Sequence, residues 1–365
     1  MAKRYFEESS SGQDFLKSGI QTRNNHFNQM IAEIERVALR SKDPILLQGP
    51  TGAGKTQLAR RIYELKSMRK EIKGSFVPVN CATLKGAGAM SALFGHYKGA
   101  YTGAVNHREG YLRHADKGIL FLDEIGELGL DEQAMLLHAL EEKSFYPLGS
   151  DKAVSSDFQL LAGTNRNLRQ AVQEGRFRED LLSRIDIWCW RLPALKERLE
   201  DMEANIDFEL HQHTRSTNKQ VRFNKAARER YLNFATTPDA LWSSNFRDLN
   251  ASINRMVTLS EFGRIDEANV VSETERLSSR WHQKEQNPEV ELSDYLDEET
   301  LVSIDHFDKL QLMSIINVCQ QSRTLAEAGR KLFDVSRSQK ASVNDSHRLR
   351  TYLKKFGLDF KSLTT

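Results

Sequence analysis

Cysteine is scarce in this sequence. Its three residues, Cys81, Cys189 and Cys319, lie far apart, with no Cys-x-x-Cys pair and no metal-ligand spacing. That excludes a disulfide framework and a zinc module, and it predicts reduced, mostly buried thiols. His211 and His213 have no cysteine or acidic partner at ligand spacing, so they are not read as a metal site. Long apolar runs are missing as well: none approaches the roughly 20 residues of a membrane helix, and the start, Met1-Ala2-Lys3-Arg4-Tyr5-Phe6, has no signal-peptide core. The expectation is a cytoplasmic protein with no membrane partner. Net charge is nearly absent, +2 over 365 residues, which decides nothing about nucleic acid because an average hides a local basic module. With 39% hydrophobic and 28% charged residues, the chain is globular and long enough for two or three domains.

What is present is organised around Gly49-Pro50-Thr51-Gly52-Ala53-Gly54-Lys55-Thr56. The apolar run Ile45-Leu46-Leu47 precedes it, and good helix formers follow from Gln57 to Lys66. A strand, a glycine loop and a helix are the context of a phosphate loop. The glycines let successive N–H groups converge on a phosphate, the helix N-terminus adds partial positive charge, and Lys55 adds a full one. Thr56 is placed to hold Mg²⁺ with its hydroxyl.

Further along, Gly118-Ile119-Leu120-Phe121-Leu122 is a buried strand that runs into Asp123 and Glu124. Asp123 suits Mg²⁺ held through water, and Glu124 suits polarising the water that attacks the γ-phosphate of ATP. Phe76 to Val79 ends at Asn80, and Phe158 to Thr164 ends at Asn165, so two more strands have polar tips. Asn165 is a candidate for orienting the same water, although a strand-terminal Asn also serves as a plain turn former. Residues 22–40, 84–94 and 133–142 have helical spacing, the second weakened by Gly86 and Gly88. Strands alternating with helices predict an α/β fold, a parallel sheet covered on both faces with nucleotide at the carboxyl ends of the strands. From about residue 196 to 280 the pattern is helical without a strand series, which predicts a smaller appended subdomain.

The stretch from about residue 21 to 280 resembles the AAA+ ATPase domain of bacterial enhancer-binding proteins, the activators of sigma-54 RNA polymerase. The most specific match is Gly99-Ala100-Tyr101-Thr102-Gly103-Ala104, similar to the family's GAFTGA loop with Tyr in place of Phe. The resemblance implies that this loop contacts sigma-54: glycines give freedom, the ring gives area and Thr102 a directional hydroxyl. It implies further that Asn80 holds the catalytic Glu in a resting orientation, that Arg178 and Arg184 reach the neighbouring subunit's nucleotide as arginine fingers, and that Arg247 is a sensor from the helical subdomain. The segment carrying Arg247, Trp242-Ser243-Ser244-Asn245-Phe246-Arg247-Asp248-Leu249, departs from the family in having Ser243-Ser244 for Pro-Gly. Ala92 stands where a Glu is common, and Thr56 replaces a Glu that many members carry. No catalytic group is lost.

After Arg280 the composition changes sign twice. Between Glu285 and Glu299 lie seven acidic residues, no basic ones and a proline, which predicts an exposed linker over 281–303. From Arg323 to Lys361 there are ten Lys or Arg against four Asp or Glu. Three helical patterns follow one another here: one carrying Phe307, Leu310, Met313 and Ile316, one from Leu325 to Phe333, and one from His347 to Phe356 capped by Gly357. A basic last helix reads as an all-α helix-turn-helix over 304–365 that enters the major groove of double-stranded DNA. Arg337, Lys340, Arg348, Arg350, Lys354 and Lys355 are the candidate phosphate or base contacts. The segment resembles the Fis-like domain of enhancer-binding proteins, with about ten extra residues, Ser338 to His347, like the branch of the family that regulates the bacterial RNA-repair operon. That branch carries a sensory CARF domain before the ATPase, for which residues 1–19, a flexible lead-in, are too few.

The expected organisation is therefore an AAA+ α/β subdomain at 20–195, a helical subdomain at 196–280, the linker and the DNA-binding domain. The expected function is a ring-forming, hexameric ATPase using ATP and Mg²⁺ to remodel sigma-54 holoenzyme from upstream DNA. Two alternatives stay open: a DNA-binding regulator whose ATPase fold is an assembly scaffold, and a remodeller of another protein client.

Overall fold

The polar residues that end the apolar runs line up along one edge of a sheet. Strands β1 (Ile45–Gln48), β2 (Phe76–Asn80), β3 (Ile119–Asp123), β6 (Gln159–Thr164) and β7 (Trp188–Arg191) form a five-stranded sheet in the order β2-β3-β6-β1-β7. All four pairings are parallel. Register sets Gln48 beside Thr164 and Asn80 beside Asp123, so the chain turns polar where the strands reach their carboxyl ends. The computed structural model describes residues 15–17, 22–84, 86–218, 220–282, 292–333 and 344–363. Their contacts divide into two compact units, 1–278 and 279–365.

Alternation along each strand builds the core of the first unit. Ile45, Leu47, Ile119, Phe121 and Leu161 face helices Asn25–Arg40 and Lys55–Met68, whereas Leu46, Leu120, Leu122, Leu160 and Ala162 face helices Leu130–Glu142 and Glu179–Ile185. A sheet buried on both faces needs apolar residues at both parities, which is why its strands read as continuous hydrophobic runs. The helix expected at 22–40 starts at Asn25, because Asn24 accepts from Phe27 N and caps it. The weakened pattern at 84–94 resolves into a single turn, Cys81–Thr83, and a separate helix, Ala87–Phe94.

Helices Met202–Thr217, Lys225–Ala235, Phe246–Leu259 and Glu267–His282 build the rest of this unit. Two short ribbons complete the strands: β4 (Ser144–Phe145) with β5 (Val154–Ser155), and β8 (Arg222–Phe223) with β9 (Arg264–Ile265). The β8–β9 ribbon sits in the stretch read as purely helical; two-residue strands are too short to leave a period in the sequence. The thiol expectation holds for Cys81 and Cys319, which are buried, and fails for Cys189, which is exposed on the outer strand β7. Burial and the nearby Asp186 carboxylate push the Cys189 thiol up to about 12, so it stays protonated.

The second unit contains helices Glu298–Ser303, His306–Gln320, Leu325–Leu332 and Asp345–Lys354. Two expectations change here. The linker expected over 281–303 is not exposed throughout, since Leu292 and Leu296 are buried with Leu312, Ile316, Ala328, Leu349 and Leu353, while Asp297 is exposed. The rest of that linker, 283–291, lies outside the described residues. Helix His306–Gln320 carries the expected Phe307, Leu310, Met313 and Ile316, but only Ile316 is buried and Met313 partly so, alongside Leu312 and Cys319, while Phe307 and Leu310 are exposed. No described helix is long and apolar enough to cross a membrane.

Candidate functional site

The phosphate loop leaves β1 at Gln48 and enters helix Lys55–Met68 at its first residue. Gly52 has φ +77, and a Cβ there would stand 2.1 Å from Ser244 O, so the position admits glycine alone. Lys55 is buried, and its Nζ donates to Gly49 O at 2.9 Å and lies 3.7 Å from Glu124 Oε1. The ammonium thus sits under the loop, facing the space its N–H groups enclose. Thr56 Oγ1 donates to Asp123 Oδ2 at 2.8 Å, which brings two hard oxygen ligands together at the helix start and fits a small divalent cation such as Mg²⁺.

Glu124 follows β3 in the left-handed region, φ +53 and ψ +51, which swings its carboxylate away from the strand direction towards the loop. Its Oε2 accepts from Asn165 N at 3.0 Å. Asn165 Nδ2 in turn donates to Thr51 Oγ1 at 3.1 Å. The tips of β1, β3 and β6 are therefore tied into one cluster in which Lys55, Thr56, Asp123, Glu124 and Asn165 converge. Asn80 is different. Its Oδ1 accepts from Ala82 N at 3.0 Å and caps the turn Cys81–Thr83, while Glu124 is held by Lys55 and Asn165 instead. The resting hold of Asn80 on Glu124 is not formed in this structure.

A cavity of about 470 Å³ opens beside Ala53 and Gly54, walled by Phe27, Ile31, Leu192 and Phe246. Arg247, from helix Phe246–Leu259, passes its Cγ along Gly52, 3.3 Å from where a Cβ would stand. Its side chain thus starts beside the phosphate loop.

Arg178 and Arg184 are not brought together. Arg178 N donates to the buried Gln133 Oε1 at 2.8 Å, and its guanidinium pairs with Asp180 at 2.7 and 3.1 Å in an exposed groove. That hydrogen bond raises the Arg178 pKa and lowers that of Asp180. Arg184 opens instead into a cavity of about 630 Å³ at the amino ends of the strands, and its buried Nε has no hydrogen-bond partner.

The 99–104 loop closes on itself. Gly99 N donates to Ala104 O at 2.8 Å and Ala104 N to Tyr101 O at 2.9 Å, while His96 and Arg108 exchange backbone hydrogen bonds of 2.9 Å at its base. Gly99 and Gly103 take the left-handed turns, φ +86 and +99. Tyr101, Thr102 and Gly103 are exposed at the tip, Ala100 is half-buried and Ala104 is buried at the stalk. The Tyr101 ring leans on His96, 5.2 Å between centroids.

In the second unit, helix Asp345–Lys354 buries Leu349 and Leu353 and turns Arg350 and Lys354 outward; Lys355, which follows it, is exposed too. Arg348 is engaged, its guanidinium 3.9 Å from the Phe333 ring centroid and 3.9 Å from Asp345 Oδ1. Arg337 and Lys340 lie outside the described residues.

Comparison with known proteins agrees with this geometry. The sigma-54 interaction domain matches residues 20–189, and the RtcR C-terminal DNA-binding domain matches 282–363. The transcriptional regulatory protein RtcR of Escherichia coli K12 is 57% identical over 363 residues, covering 100% of this chain and 68% of that protein. The chain belongs to the RtcR family of sigma-54 activators. The anaerobic nitric oxide reductase transcription regulator NorR of an Enterobacter species is 37% identical over 244 residues, 67% of this chain and 46% of that one. The structure of NtrX from Brucella abortus in complex with ATP superposes with a TM-score of 0.59 at 23% identity, over 98% of this chain and 73% of its own, a likeness of fold.

As a member of this family the chain is a sigma-54-dependent transcriptional activator with an ATPase domain and a C-terminal DNA-binding domain. One residue that the sequence reading passed over stands out within it. Asn245, φ +52 and ψ −126, donates from Nδ2 to Thr51 O at 2.9 Å and accepts at Oδ1 from Leu195 N at 2.8 Å. It ties the helical subdomain to the phosphate loop at a backbone strain of about 1–3 kcal/mol. It lies two residues from Arg247 in the same motif, and a polar residue buried beside an aromatic pair was the available signal.

Proposed function

We propose that this chain assembles as a hexameric ring in the cytoplasm and uses ATP hydrolysis to drive the 99–104 loops against sigma-54 holoenzyme bound at a promoter, while the second unit holds upstream double-stranded DNA. Whole-chain likeness to RtcR supports an RNA-repair operon as its target. The observation that carries the reading is Glu124, held between Lys55 and Asn165 above the Thr56–Asp123 pair. In this reading the loop amides and Lys55 bind the phosphates, Lys55 leaving the Gly49 carbonyl to do so. Glu124 polarises the attacking water and takes up its proton, and Asn165 fixes the carboxylate through its N–H. Thr56 and, through water, Asp123 would hold magnesium, which would supply charge against the phosphate oxygens. Either arginine must move to meet a neighbour's nucleotide: Arg178 must release Asp180, and Arg184 must bring out its buried, unpaired Nε. Arg350, Lys354 and Lys355 contact DNA, and Arg348 braces the helix through Phe333.

The experiment is ATP hydrolysis by the pure protein as a function of its concentration. A shared site between subunits gives a rate per subunit that rises with assembly. A rate per subunit independent of concentration contradicts the ring, and no hydrolysis at any concentration returns the ATPase fold to a scaffold.

A further inference from the structure

Helix Met202–Thr217 buries Met202, Asn205, Ile206 and Leu210, a helical stripe that is apolar except at one position. Asn205 is 1% exposed, and neither its Oδ1 nor its Nδ2 has a hydrogen-bond partner. A leucine there would complete the stripe without leaving a carboxamide unpaired, a cost that proteins seldom carry without a use. Asn205 also lines the cavity of about 470 Å³ that begins at Ala53 and Gly54 of the phosphate loop. The walls Phe27, Ile31, Leu192 and Phe246 suit a flat apolar ring. Arg198 lines the same cavity, its charge stacked on Phe27 at 4.1 Å and Phe246 at 5.0 Å; its buried Nε has no hydrogen-bond partner, but it can only donate, whereas Asn205 offers a donor and an acceptor.

We propose that Asn205 reads the base of the bound nucleotide, pairing its carboxamide with a purine edge that presents an amino group beside a ring nitrogen, as adenine does. This rests on the nucleotide reading of the phosphate loop. One acceptor and one donor on the same planar group match the exocyclic amine and the adjacent ring nitrogen in a single bidentate contact. The carboxamide is therefore without a partner in the nucleotide-free protein and gains two when the base enters. Because the group turns over freely about its terminal bond, the contact senses whether the amine is there rather than its order along the edge.

The test compares ADP with purine riboside diphosphate, which lacks only the 6-amino group, by calorimetric titration of the full chain and of Asn205→Leu. The unaltered protein is expected to bind ADP on the order of tenfold more tightly than the analogue. Asn205→Leu is expected to bind the two alike, with the loss falling on ADP. Without nucleotide it should also melt at a higher temperature, since an unpaired buried amide has been replaced by a side chain that completes the stripe. A preference for ADP undiminished in Asn205→Leu overturns the inference while leaving the nucleotide site standing, and so does a lower melting temperature, which assigns Asn205 to packing. Failure of the unaltered protein to bind ADP at all removes the nucleotide reading, and the inference with it.

Discussion

The nucleotide end of the sheet and the 99–104 loop are built on opposite plans. At the nucleotide end, hydrogen bonds cross between distant parts of the chain: Thr56 to Asp123, Asn165 to Glu124 and Thr51, Asn245 to Thr51 and Leu195. In the loop, residues 99–105 bond only to one another and to the stalk, and the tip residues Tyr101, Thr102 and Gly103 stand in solvent. Phosphate chemistry needs charges fixed before the substrate arrives, because reorganising them during the reaction costs rate. A loop that grips another protein needs freedom to extend, and local turns break cheaply. The helical subdomain joins the fixed side, through Asn245 and through Arg247 against Gly52.

The sharpest break of this contrast is Glu124→Gln. It keeps the shape of the cluster and removes the base, so turnover should fall about 10²–10⁴-fold with nucleotide affinity retained. Steady-state hydrolysis and titration on the same sample decide it, and normal turnover would remove Glu124 from the chemistry. Next comes Gly52→Ala, which meets Ser244 O at 2.1 Å in a left-handed conformation. A cost of about 2–4 kcal/mol in stability is expected, together with loss of nucleotide binding, whereas a matched Gly103→Ala, with open space around it, should melt within about 1–2 kcal/mol of the unaltered chain. Equal destabilisation at both glycines would erase the distinction between fixed and free backbone.

Smaller effects lie at the edges. Replacing Arg350 and Lys354 by alanine should weaken DNA binding and reduce the slope of log affinity against log salt by ~0.9 for each phosphate that is no longer neutralised, whereas Arg348→Ala should cost stability of the second unit more than salt slope. Binding isotherms over a salt series separate the two. The smallest effect concerns Glu209, whose pKa is raised by burial, partly offset by the hydrogen bond from Asn250 at 2.6 Å. A carboxylic acid with a raised folded pKa carries no penalty at acid pH, where both states are protonated; the penalty grows as pH rises from the unfolded value towards the folded one and levels off above it. Glu209→Gln should therefore melt higher than the unaltered chain at pH 8 and show little gain at pH 4; a pH-independent difference would rule out the ionisation account.

Much of the nucleotide end was legible in the sequence, because its residues lie in short contiguous motifs whose geometry is set locally. The strand, loop and helix around Lys55, the Asp123-Glu124 tip and the Asn165 tip fall where the pattern put them. What the sequence hid is which of several available partners a side chain takes. Asn80 caps Ala82 two residues on, while Glu124 is held by Lys55 and Asn165 from other strands' tips. The resemblance implies the same role for Arg178 and Arg184, yet helix Glu179–Ile185 turns them to different openings. The stripe from Phe307 had helical spacing, and spacing alone does not say which of two overlapping apolar stripes a neighbouring helix will cover. Leu292 and Leu296 were masked by the acidic residues around them.

The separation of chemistry from grip is tested most directly at Thr102, which lies in none of the hydrogen bonds of the nucleotide cluster and stands exposed at the loop tip. ATP hydrolysis, DNA binding and opening of a sigma-54 promoter are measured on one preparation of Thr102→Ala. The account predicts hydrolysis within about twofold of the unaltered protein, unchanged DNA binding, and promoter opening abolished. Promoter opening that survives undiminished, or hydrolysis and opening that fall together, would contradict it.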